Sequence, residues 1–280
     1  MVNIHEPGPF EGRLEQWPVL ATAGALEVRL AETDAEVEAA QKLRYHVFYE
    51  EMSAIPSPAM REAGRDFDRF DEVCDHMLVV DRSHADAEGQ PAVVGTYRMM
   101  REAYLAKSGG FYTAGEYDIA PMLAAWPKDT RYLELGRSCV LKTYRSKAVT
   151  MQLLLRGIMA YVARFSIDLM FGCASFPGTD PDALAMALSY LHHFHHIGAD
   201  VRVRARPGLY VEMNRMPKEA VDRKEALRAL PPLVKGYLHA GCRIGEGAVI
   251  DCQFATTDVF IYLPLKDMSA SYKRRFGLAV

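Results

Sequence analysis

The sequence predicts an α/β fold, because it contains a strand that leads through a basic turn directly into an amphipathic helix. Alternating apolar residues mark one face of this strand: Leu133, Leu135, Cys139 and Leu141. Apolar residues at helical spacing follow in the helix: Val149, Met151, Leu154, Leu155, Ile158, Met159 and Val162. Two further strand-like runs, residues 77–81 and 93–100, precede this unit and are joined by a polar loop.

The other elements are predicted along the chain in order. Residues 1–22 are rich in Gly, Pro and Glu and predict a flexible N-terminal arm, which leaves residues 23–280 as one domain. Further strands are predicted at residues 25–30, 169–173, 201–205 and 258–263. Helices are predicted at residues 33–49, opened by the capping pattern Thr33-Asp-Ala-Glu36, and at residues 181–196 and 231–240. Residues 102–130 are predicted to be irregular.

Composition and charge exclude several classes of protein. The formal net charge of -3 argues against a dedicated nucleic-acid binder, so nucleic acid is not an expected partner. Five cysteines form no C-x-x-C pair, which favours reduced thiols over a disulfide framework or a zinc ribbon. The N-terminal residues lack a signal-peptide pattern and no apolar run has membrane length. We therefore expect a cytoplasmic protein.

The turn between the strand and the helix is a candidate phosphate site, and Glu134 just before it is a candidate base. A helix start presents free backbone N–H groups, and Arg145 and Lys147 add positive charge beside them. A phosphate site with a nearby carboxylate suits transfer of an acyl group from a phosphopantetheine thioester to an amine. We predict that Glu134 removes the amine proton, directly or through water.

Alternatives remain open at this site. Glu134 could instead be a structural partner of Arg137 or Arg98, and Cys139 could be a nucleophile, although thiols in strands are usually inert. On a regular strand Glu134 and Arg137 would point to opposite faces. A bulge at Gly136 would direct both toward the site and free backbone N–H groups for the thioester carbonyl.

Arg44 is the anomaly of helix 33–49, because it lies near the centre of that helix's apolar face. A charge there must be paired or must line a cavity. It could form a buried structural ion pair, or it could belong to the site. In the second case Arg44→Met should fold with near-native stability and lose most activity. Asp66, Asp68 and Asp71 offer carboxylates nearby, unless that segment is ordinary solvated surface.

The unit over residues 132–162 resembles the acyl-carrier motif of the GNAT acyltransferase superfamily. In that family the turn Arg/Gln-x-x-Gly-x-Gly/Ala wraps the pyrophosphate of coenzyme A, whereas this chain has Arg145-Ser-Lys-Ala-Val-Thr150 and lacks both glycines. That departure favours the 4′-phosphopantetheine arm of acyl carrier protein as donor, with no permanently bound cofactor. The resemblance implies a mixed central sheet flanked by helices. It also implies donor-binding roles for Val140, Arg145, Ser146, Lys147, Ala148, Val149 and Thr150.

Four motifs in order resemble those of acyl-homoserine-lactone synthases, which are GNAT-like and use acyl-acyl-carrier-protein. They are Leu43-Arg44-x-x-Val47-Phe48, Phe67-Asp68-x-Phe70-Asp71, Val94-Gly-Thr-Tyr-Arg98 and Glu134-x-x-Arg137. This resemblance implies substrate-binding roles for Arg44, Phe48, Asp68, Asp71, Arg98 and Arg137. Ala54 stands where those synthases carry a tryptophan.

Longer stretches resemble bacterial L-ornithine Nα-acyltransferases, once called hemolysin-like proteins. They include FYTAGEYDIAPM, LELGRSCV and FGCASFPGTDPDAL. This resemblance covers about residues 25–265 and implies transfer of a 3-hydroxyacyl group from acyl carrier protein to the α-amine of L-ornithine, giving lyso-ornithine lipid. The alternatives are an acyl-homoserine-lactone synthase and a non-enzymatic membrane-active or metal-sensing protein.

Three further groups of side chains have open roles. The histidines 192, 193, 195 and 196 could bind a metal, or could interact with the dipole of a helix end. The alternating arginines 202, 204 and 206 could dock acyl carrier protein or anionic lipid, and a basic aromatic tail over residues 272–276 could contact the inner membrane surface. The side-chain ammonium of ornithine could bind any of four carboxylates: Asp68, Asp71, Asp251 and Asp258.

Overall fold

The computed structural model describes residues 19–52, 54–86, 89–145, 148–198 and 201–275. The chain divides into two compact units, the first from Met1–Gly109 and Leu135–Phe165 and the second from Gly110–Glu134 and Ser166–Val280. The arm predicted over residues 1–22 lies outside the described residues as far as position 18. The predicted organisation, with an arm over residues 1–22 and a single domain over residues 23–280, stays a prediction.

The described residues form a mixed α/β fold, as predicted. The strands are β1 Ala21–Ala23, β2 Leu26–Leu30, β3 Asp75–Ala85, β4 Pro91–Arg101, β5 Tyr117–Asp118, β6 Tyr132–Val140, β7 Leu169–Pro177, β8 Arg204–Ala205, β9 Tyr210–Val211, β10 Arg243–Asp251 and β11 Thr256–Pro264. The α-helices are α1 Asp34–Tyr45, α2 Pro58–Ala63, α3 Leu105–Ser108, α4 Ala120–Ala125, α5 Lys142–Arg145, α6 Ala148–Phe165, α7 Ala185–His195, α8 Arg223–Ala229, α9 Pro232–Ala240 and α10 Ala270–Arg275. None of these helices is both long and apolar enough to cross a membrane.

In the first unit, β1 to β4 pair in sequence as antiparallel neighbours. The amphipathic helix α6 packs close to this sheet at Gly157. A Cβ added to Gly157 would lie 2.4 Å from Val28 and 2.8 Å from the Met77 sulfur, so only glycine allows this approach. Burial of the apolar face of α6 against β2 and β3 is the main stabilising contact of this helix.

In the second unit, the sheet is mixed. The first residues of β6 pair in parallel with β7, β7 pairs antiparallel with β11, and β11 pairs antiparallel with β10. The short strands β8 and β9 pair with β10, and β5 pairs with β8. Every residue of β11 is buried, as expected for a strand that has neighbours on both sides.

Several elements differ from their prediction. The helix predicted over residues 33–49 ends at Tyr45 and continues as a π-helix over His46–Glu51. Its cap is confirmed, because the Thr33 hydroxyl accepts the Glu36 N–H at 3.3 Å. Helix α7 begins at Ala185 rather than at residue 181, β8 covers only two residues of the predicted strand 201–205, and residues 102–130 contain short helices and a strand. Outside residues 102–130, the sequence also did not predict β1, which begins inside the predicted arm, nor α2, β9, α8, β10 and α10.

Candidate active site

Strand β6 is irregular where the candidate site residues lie. Arg137 has a φ of 52°, in the left-handed region that residues other than glycine rarely adopt. The sequence predicted a bulge at Gly136, and the structure places the left-handed residue one position later. Such an irregularity locally disrupts the hydrogen-bond ladder and changes the direction of side chains along a strand.

Glu134 belongs to the second unit, and its side chain is 4% exposed. Its Oε2 accepts a hydrogen bond from the Tyr112 N–H at 2.9 Å, and its Oε1 accepts one from the Thr113 N–H at 2.6 Å. Both donors lie in the 3₁₀ turn Tyr112–Gly115. Hydrogen bonds from backbone N–H groups to a carboxylate are strong, so this turn fixes the orientation of the candidate base.

A second group of acidic residues lies in the same unit. One carboxylate oxygen from each of Glu116, Asp251 and Asp258 lies within 4.8 Å of the other two, and we call these residues the three-carboxylate group. The thiol of Cys173 donates to Glu116 Oε2 at 3.3 Å. Sequence reasoning named both aspartates but missed Glu116, because it falls in the stretch predicted to be irregular.

The first unit contains a buried arginine–aspartate cluster, made of Arg44, Asp66, Asp68, Asp71, Arg98 and Arg137. Arg44 is fully buried, and its Nε donates to Asp66 Oδ2 at 2.7 Å. Its Nη2 donates to the Asp66 carbonyl at 2.6 Å and to both carboxylate oxygens of Asp71 at 2.8 and 2.9 Å. This geometry is that of a buried ion pair, which was the structural alternative for Arg44.

The other two arginines complete the cluster. Arg98 Nη1 donates to Asp68 Oδ1 at 2.7 Å and lies 3.6 Å from Asp71 Oδ1. Arg137 Nη2 donates to Asp68 Oδ2 at 3.3 Å. The structure therefore brings together five of the six residues predicted to bind substrate, and three arginines face three aspartates. Asp68 is the most exposed of the three carboxylates.

The cluster also determines the state of His76. His76 is fully buried, and its Nε2 lies 3.0 Å from the Asp71 carbonyl. Burial and the charge of Arg44 lower the pKa of His76 from 6.5 to about 4, so the ring is neutral near pH 7. Burial opposes ionisation of Asp71, yet Arg44 and Arg98 hold the pKa of Asp71 below its usual value.

Phe48 and Cys139 lie together in the first unit. Phe48, in the π-helix, packs against a buried cluster of Leu43, Val47 and Cys139. Burial raises the pKa of Cys139 to about 12, so this residue is a protonated thiol near neutral pH. A nucleophilic role for Cys139 is therefore disfavoured.

The predicted donor turn is only partly described. Ser146 and Lys147 lie outside the described residues, and α6 begins at Ala148. The Arg145 Nε donates to the Val140 carbonyl at 2.7 Å, and its Nη2 forms an ion pair with Glu51 of the π-helix. Further along α6, Val149 is half-buried and Thr150 is buried. The short helix α5 stands between β6 and α6, where the sequence predicted only a turn.

The histidine group is engaged within the protein. His193 Nε2 lies 2.8 Å from the Met216 carbonyl, His195 Nε2 lies 3.1 Å from the Tyr190 hydroxyl, and His196 Nδ1 lies 2.5 Å from the Ile197 carbonyl. Three of the four rings therefore have hydrogen-bond partners within the protein, and the roles in metal binding or at the helix end stay predictions.

The arginine row is exposed as predicted, with buried residues at the positions between its members. Arg204 forms an ion pair with Glu246 at 3.0 Å and stacks 4.5 Å from the ring centre of Tyr210. Arg206 donates to the Ala114 carbonyl at 2.7 Å. The predicted role in docking stays a prediction.

The chain is similar to known acyltransferases over nearly its whole length. It is 48% identical over 260 residues to an L-ornithine N(alpha)-acyltransferase of Rhizobium meliloti (strain 1021), which covers 92% of this chain and 86% of the relative. It is 51% identical over 259 residues to the protein of the same name from Brucella abortus (strain 2308), covering 92% and 91%. The chain belongs to the L-ornithine Nα-acyltransferase family. It is therefore an acyltransferase.

The fold of this family member is that of the GNAT superfamily. A family model described as Acetyltransferase (GNAT) domain matches residues 43–155. The structure of FeeM, an N-acyl amino acid synthase from uncultured soil microbes, superimposes with a TM-score of 0.51 over 88% of this chain and 95% of that one, at 9% identity. At that identity the likeness concerns the fold alone.

Proposed function

We propose that this protein transfers a 3-hydroxyacyl group from the 4′-phosphopantetheine arm of acyl carrier protein to the α-amine of L-ornithine. The product is lyso-ornithine lipid. The observation that carries the proposal is the identity of 48% and 51% to relatives named for ornithine Nα-acylation, which extends over 92% of the chain in both cases. The buried, oriented carboxylate of Glu134 supplies the group that this chemistry needs.

The reaction requires a neutral amine, because an ammonium has no lone pair to attack a thioester. In the proposed mechanism Glu134 takes one proton from the ornithine α-ammonium, directly or through one water. The amine nitrogen then bonds to the thioester carbonyl carbon, and the C–S bond breaks as the tetrahedral intermediate collapses. The nitrogen loses its second proton to the phosphopantetheine sulfur, which leaves as the thiol, and the new C–N bond is an amide. Glu134 then releases the first proton to solvent.

Positioning and charge stabilisation supply the rest of the rate enhancement. The two N–H donors from Tyr112 and Thr113 hold Glu134 in one orientation, which favours proton transfer along a fixed path. The predicted role of a bulge in β6, which is to free backbone N–H groups for the developing oxyanion, remains part of the proposal.

The donor and the site of action are further parts of the proposal. Glycines at the donor turn would let its backbone approach a pyrophosphate closely, and their replacement here by Ala148 and Thr150 favours the single phosphate of a carrier-protein arm. The proposed product is a lipid, so we propose that the protein works at the cytoplasmic face of the inner membrane, in peripheral contact with it.

The test combines purified protein, 3-hydroxyacyl-acyl carrier protein and L-ornithine. Mass spectrometry should detect Nα-(3-hydroxyacyl)ornithine, and a thiol-reactive dye should detect one carrier thiol released for each amide formed. The matched control uses 3-hydroxyacyl-coenzyme A, which should react more slowly. S-adenosylmethionine in place of ornithine should give no lactone. Formation of an acyl-homoserine lactone, or release of thiol without an amide, would contradict the proposal.

A further inference from the structure

One face of the sheet in the second unit carries a row of polar side chains beside Glu134. The strand register sets these residues opposite one another: Glu134 and Phe171, Cys173 and Phe260, Ser175 and Asp258, and Thr256 and Asp251. Directly paired residues share a face, and so do residues two apart along a strand. The polar residues that share the face of Glu134 are therefore Cys173, Ser175, Asp251, Thr256 and Asp258.

The three-carboxylate group on this face has the spacing that an ammonium requires. An ammonium has three N–H donors, and three acceptor oxygens about 2.8 Å from its nitrogen lie about 4.6 Å from one another. The oxygens of Glu116, Asp251 and Asp258 lie within 4.8 Å of one another. Asp251 is fixed independently, because its Oδ1 accepts the N–H groups of Gln253 and Phe254.

Thr256 indicates that this group is built for a ligand. Its side chain is 6% exposed, and its hydroxyl has no hydrogen-bond partner among the described residues. It lies opposite Asp251 and two residues from Asp258, on the same face as both. A buried hydroxyl without a partner is costly, and a ligand held by the three carboxylates would supply that partner.

Two neighbouring side chains indicate that the local field is negative. Burial raises the pKa of the Cys173 thiol well above its usual value, and the charges of Glu116, Asp258 and Glu134 raise it further. Burial, Cys173, Glu116 and Asp258 likewise raise the pKa of the Tyr117 hydroxyl. A negative field at this face favours a cationic ligand over a neutral or anionic one.

We infer that the three-carboxylate group and Thr256 bind the side-chain ammonium of the diamino acid, and so select ornithine over amino acids with an apolar side chain. The inference rests on the function proposed above. Cys173, whose thiol contacts Glu116, lies two residues beyond the partner of Glu134 along β7. That step is about 6.7 Å. The five-bond path between the two amines of ornithine is about 6 Å, so one molecule can present its α-amine to Glu134 and its δ-ammonium to the three-carboxylate group.

Calorimetric titration of donor-free protein tests the inference without acyl transfer. L-ornithine should bind, and L-norleucine, in which a methyl group replaces the δ-ammonium, should bind about 10- to 100-fold more weakly because charge-assisted hydrogen bonds are lost. Three single substitutions should each lower the affinity for ornithine by a similar factor and leave the affinity for norleucine unchanged: Asp251→Asn, Asp258→Asn and Glu116→Gln. Asp129→Asn, an exposed carboxylate of the same unit, should bind ornithine like the wild type.

The outcomes separate this inference from the proposed function. Equal binding of ornithine and norleucine, or wild-type affinity in all three variants, would overturn the inference. Displacement of ornithine by Mg²⁺ or Ca²⁺ in the wild type, absent from the variants, would make the group a metal site instead. Selective ornithine binding without amide formation from any acyl donor would leave the inference standing and refute the proposed function. If the Asp258→Asn variant unfolds at a lower temperature than the wild type, its affinity is not interpreted. The Asp251→Asn variant and the titration with norleucine then test the inference.

Discussion

The two charged regions of this protein differ in how their charges are balanced. In the arginine–aspartate cluster of the first unit, three arginines face three aspartates, and Arg44 alone makes four hydrogen bonds to its partners. In the second unit, three carboxylates are gathered with Glu134 on one side of a sheet, and their charges reinforce one another at Cys173. Buried charges that face opposite charges compensate one another within the fold, whereas like charges held together create a negative field that attracts a cation.

This difference suggests different roles for aspartates that the sequence alone did not distinguish. Asp71 and Asp258 were both candidates to bind the ornithine side chain. Asp71 is already bound by Arg44 in a bidentate arrangement, so an ammonium would have to displace a guanidinium. Asp258 instead lies beside two other carboxylates. The cluster is therefore the better candidate for a scaffold, and the carboxylate face is the better candidate for substrate binding.

The largest expected effect is on stability, from Arg44→Met. The sequence alone favoured a stable but inactive variant. The structure changes that expectation, because removing Arg44 leaves Asp66 and Asp71 buried with less compensation. We expect a loss of about 3–5 kcal/mol in the free energy of unfolding, measured by urea denaturation. Lys42→Met, on the exposed side of the same helix, should cost less than about 1 kcal/mol. If the Arg44→Met protein is stable but inactive, the result would support a role of Arg44 in substrate binding instead of a structural ion pair.

A slightly smaller effect is expected from pH, through His76. Its pKa is about 4 in the folded protein and 6.5 ordinarily, so the unfolded chain binds the proton more tightly. Stability from this residue is complete above pH 6.5 and is lost as pH falls toward 4, by about 3 kcal/mol. Asp71, whose pKa is lowered from 3.8, changes the stability only below about pH 3.8, which is outside this pH window. His76→Gln keeps an N–H donor without titrating, and should flatten the stability profile between pH 4 and 6.5. An unchanged profile would show that other groups cause the acid sensitivity.

Local patterns in the sequence predicted the strands that pair with near neighbours and most of the cluster. The strand-like runs at residues 77–81 and 93–100 lie within β3 and β4. Arg44 is a charged residue on the apolar face of a predicted helix. Strand β10 was missed because its sequence, RIGEGAVID, carries two glycines. Gly245 packs against the Phe260 side chain, and Gly247 has a φ of +80° beside the Tyr210 ring, so both are required by contacts with residues far along the chain. The three-carboxylate group depends on this strand, and local periodicity contains no signal for it.

The π-helix that follows α1 also could not be predicted from local sequence patterns. The apolar spacing of residues 37 to 48 suits a continuous α-helix, and the wider turn over His46–Glu51 changes which side chains face the sheet. Phe48 consequently packs with Leu43, Val47 and Cys139. The proposed role of Glu134 came from its place just before the predicted phosphate turn, and the N–H donors that orient its carboxylate lie in a turn that no sequence pattern predicted.

Glu134→Gln tests the carboxylate face through catalysis. The amide keeps the shape of the side chain but cannot accept the amine proton, so kcat for ornithine acylation should fall by about 100-fold or more. The KM for acyl carrier protein should change little, and higher pH should partly restore the rate because solvent then deprotonates the amine. Glu219→Gln, on an exposed turn of the same unit, should keep wild-type kcat. A Glu134→Gln enzyme with normal kcat at neutral pH would shift attention to Asp68 and Asp71.

The smallest expected effect comes from the arginine row, where charges are exposed and screened. Reversal of Arg202, Arg204 and Arg206 to Glu should raise the KM for acyl carrier protein about 10-fold, since exposed ion pairs contribute at most about 1 kcal/mol each. Added salt should raise the wild-type KM in the same direction. The KM for a 3-hydroxyacyl-pantetheine donor should not change, because that donor lacks the acidic carrier surface. Reversal of Arg223, Lys224 and Arg228, which are exposed on α8, changes the net charge equally and provides the control for net charge alone. If that control raises the KM equally, the row acts only through the overall field and docks no specific partner.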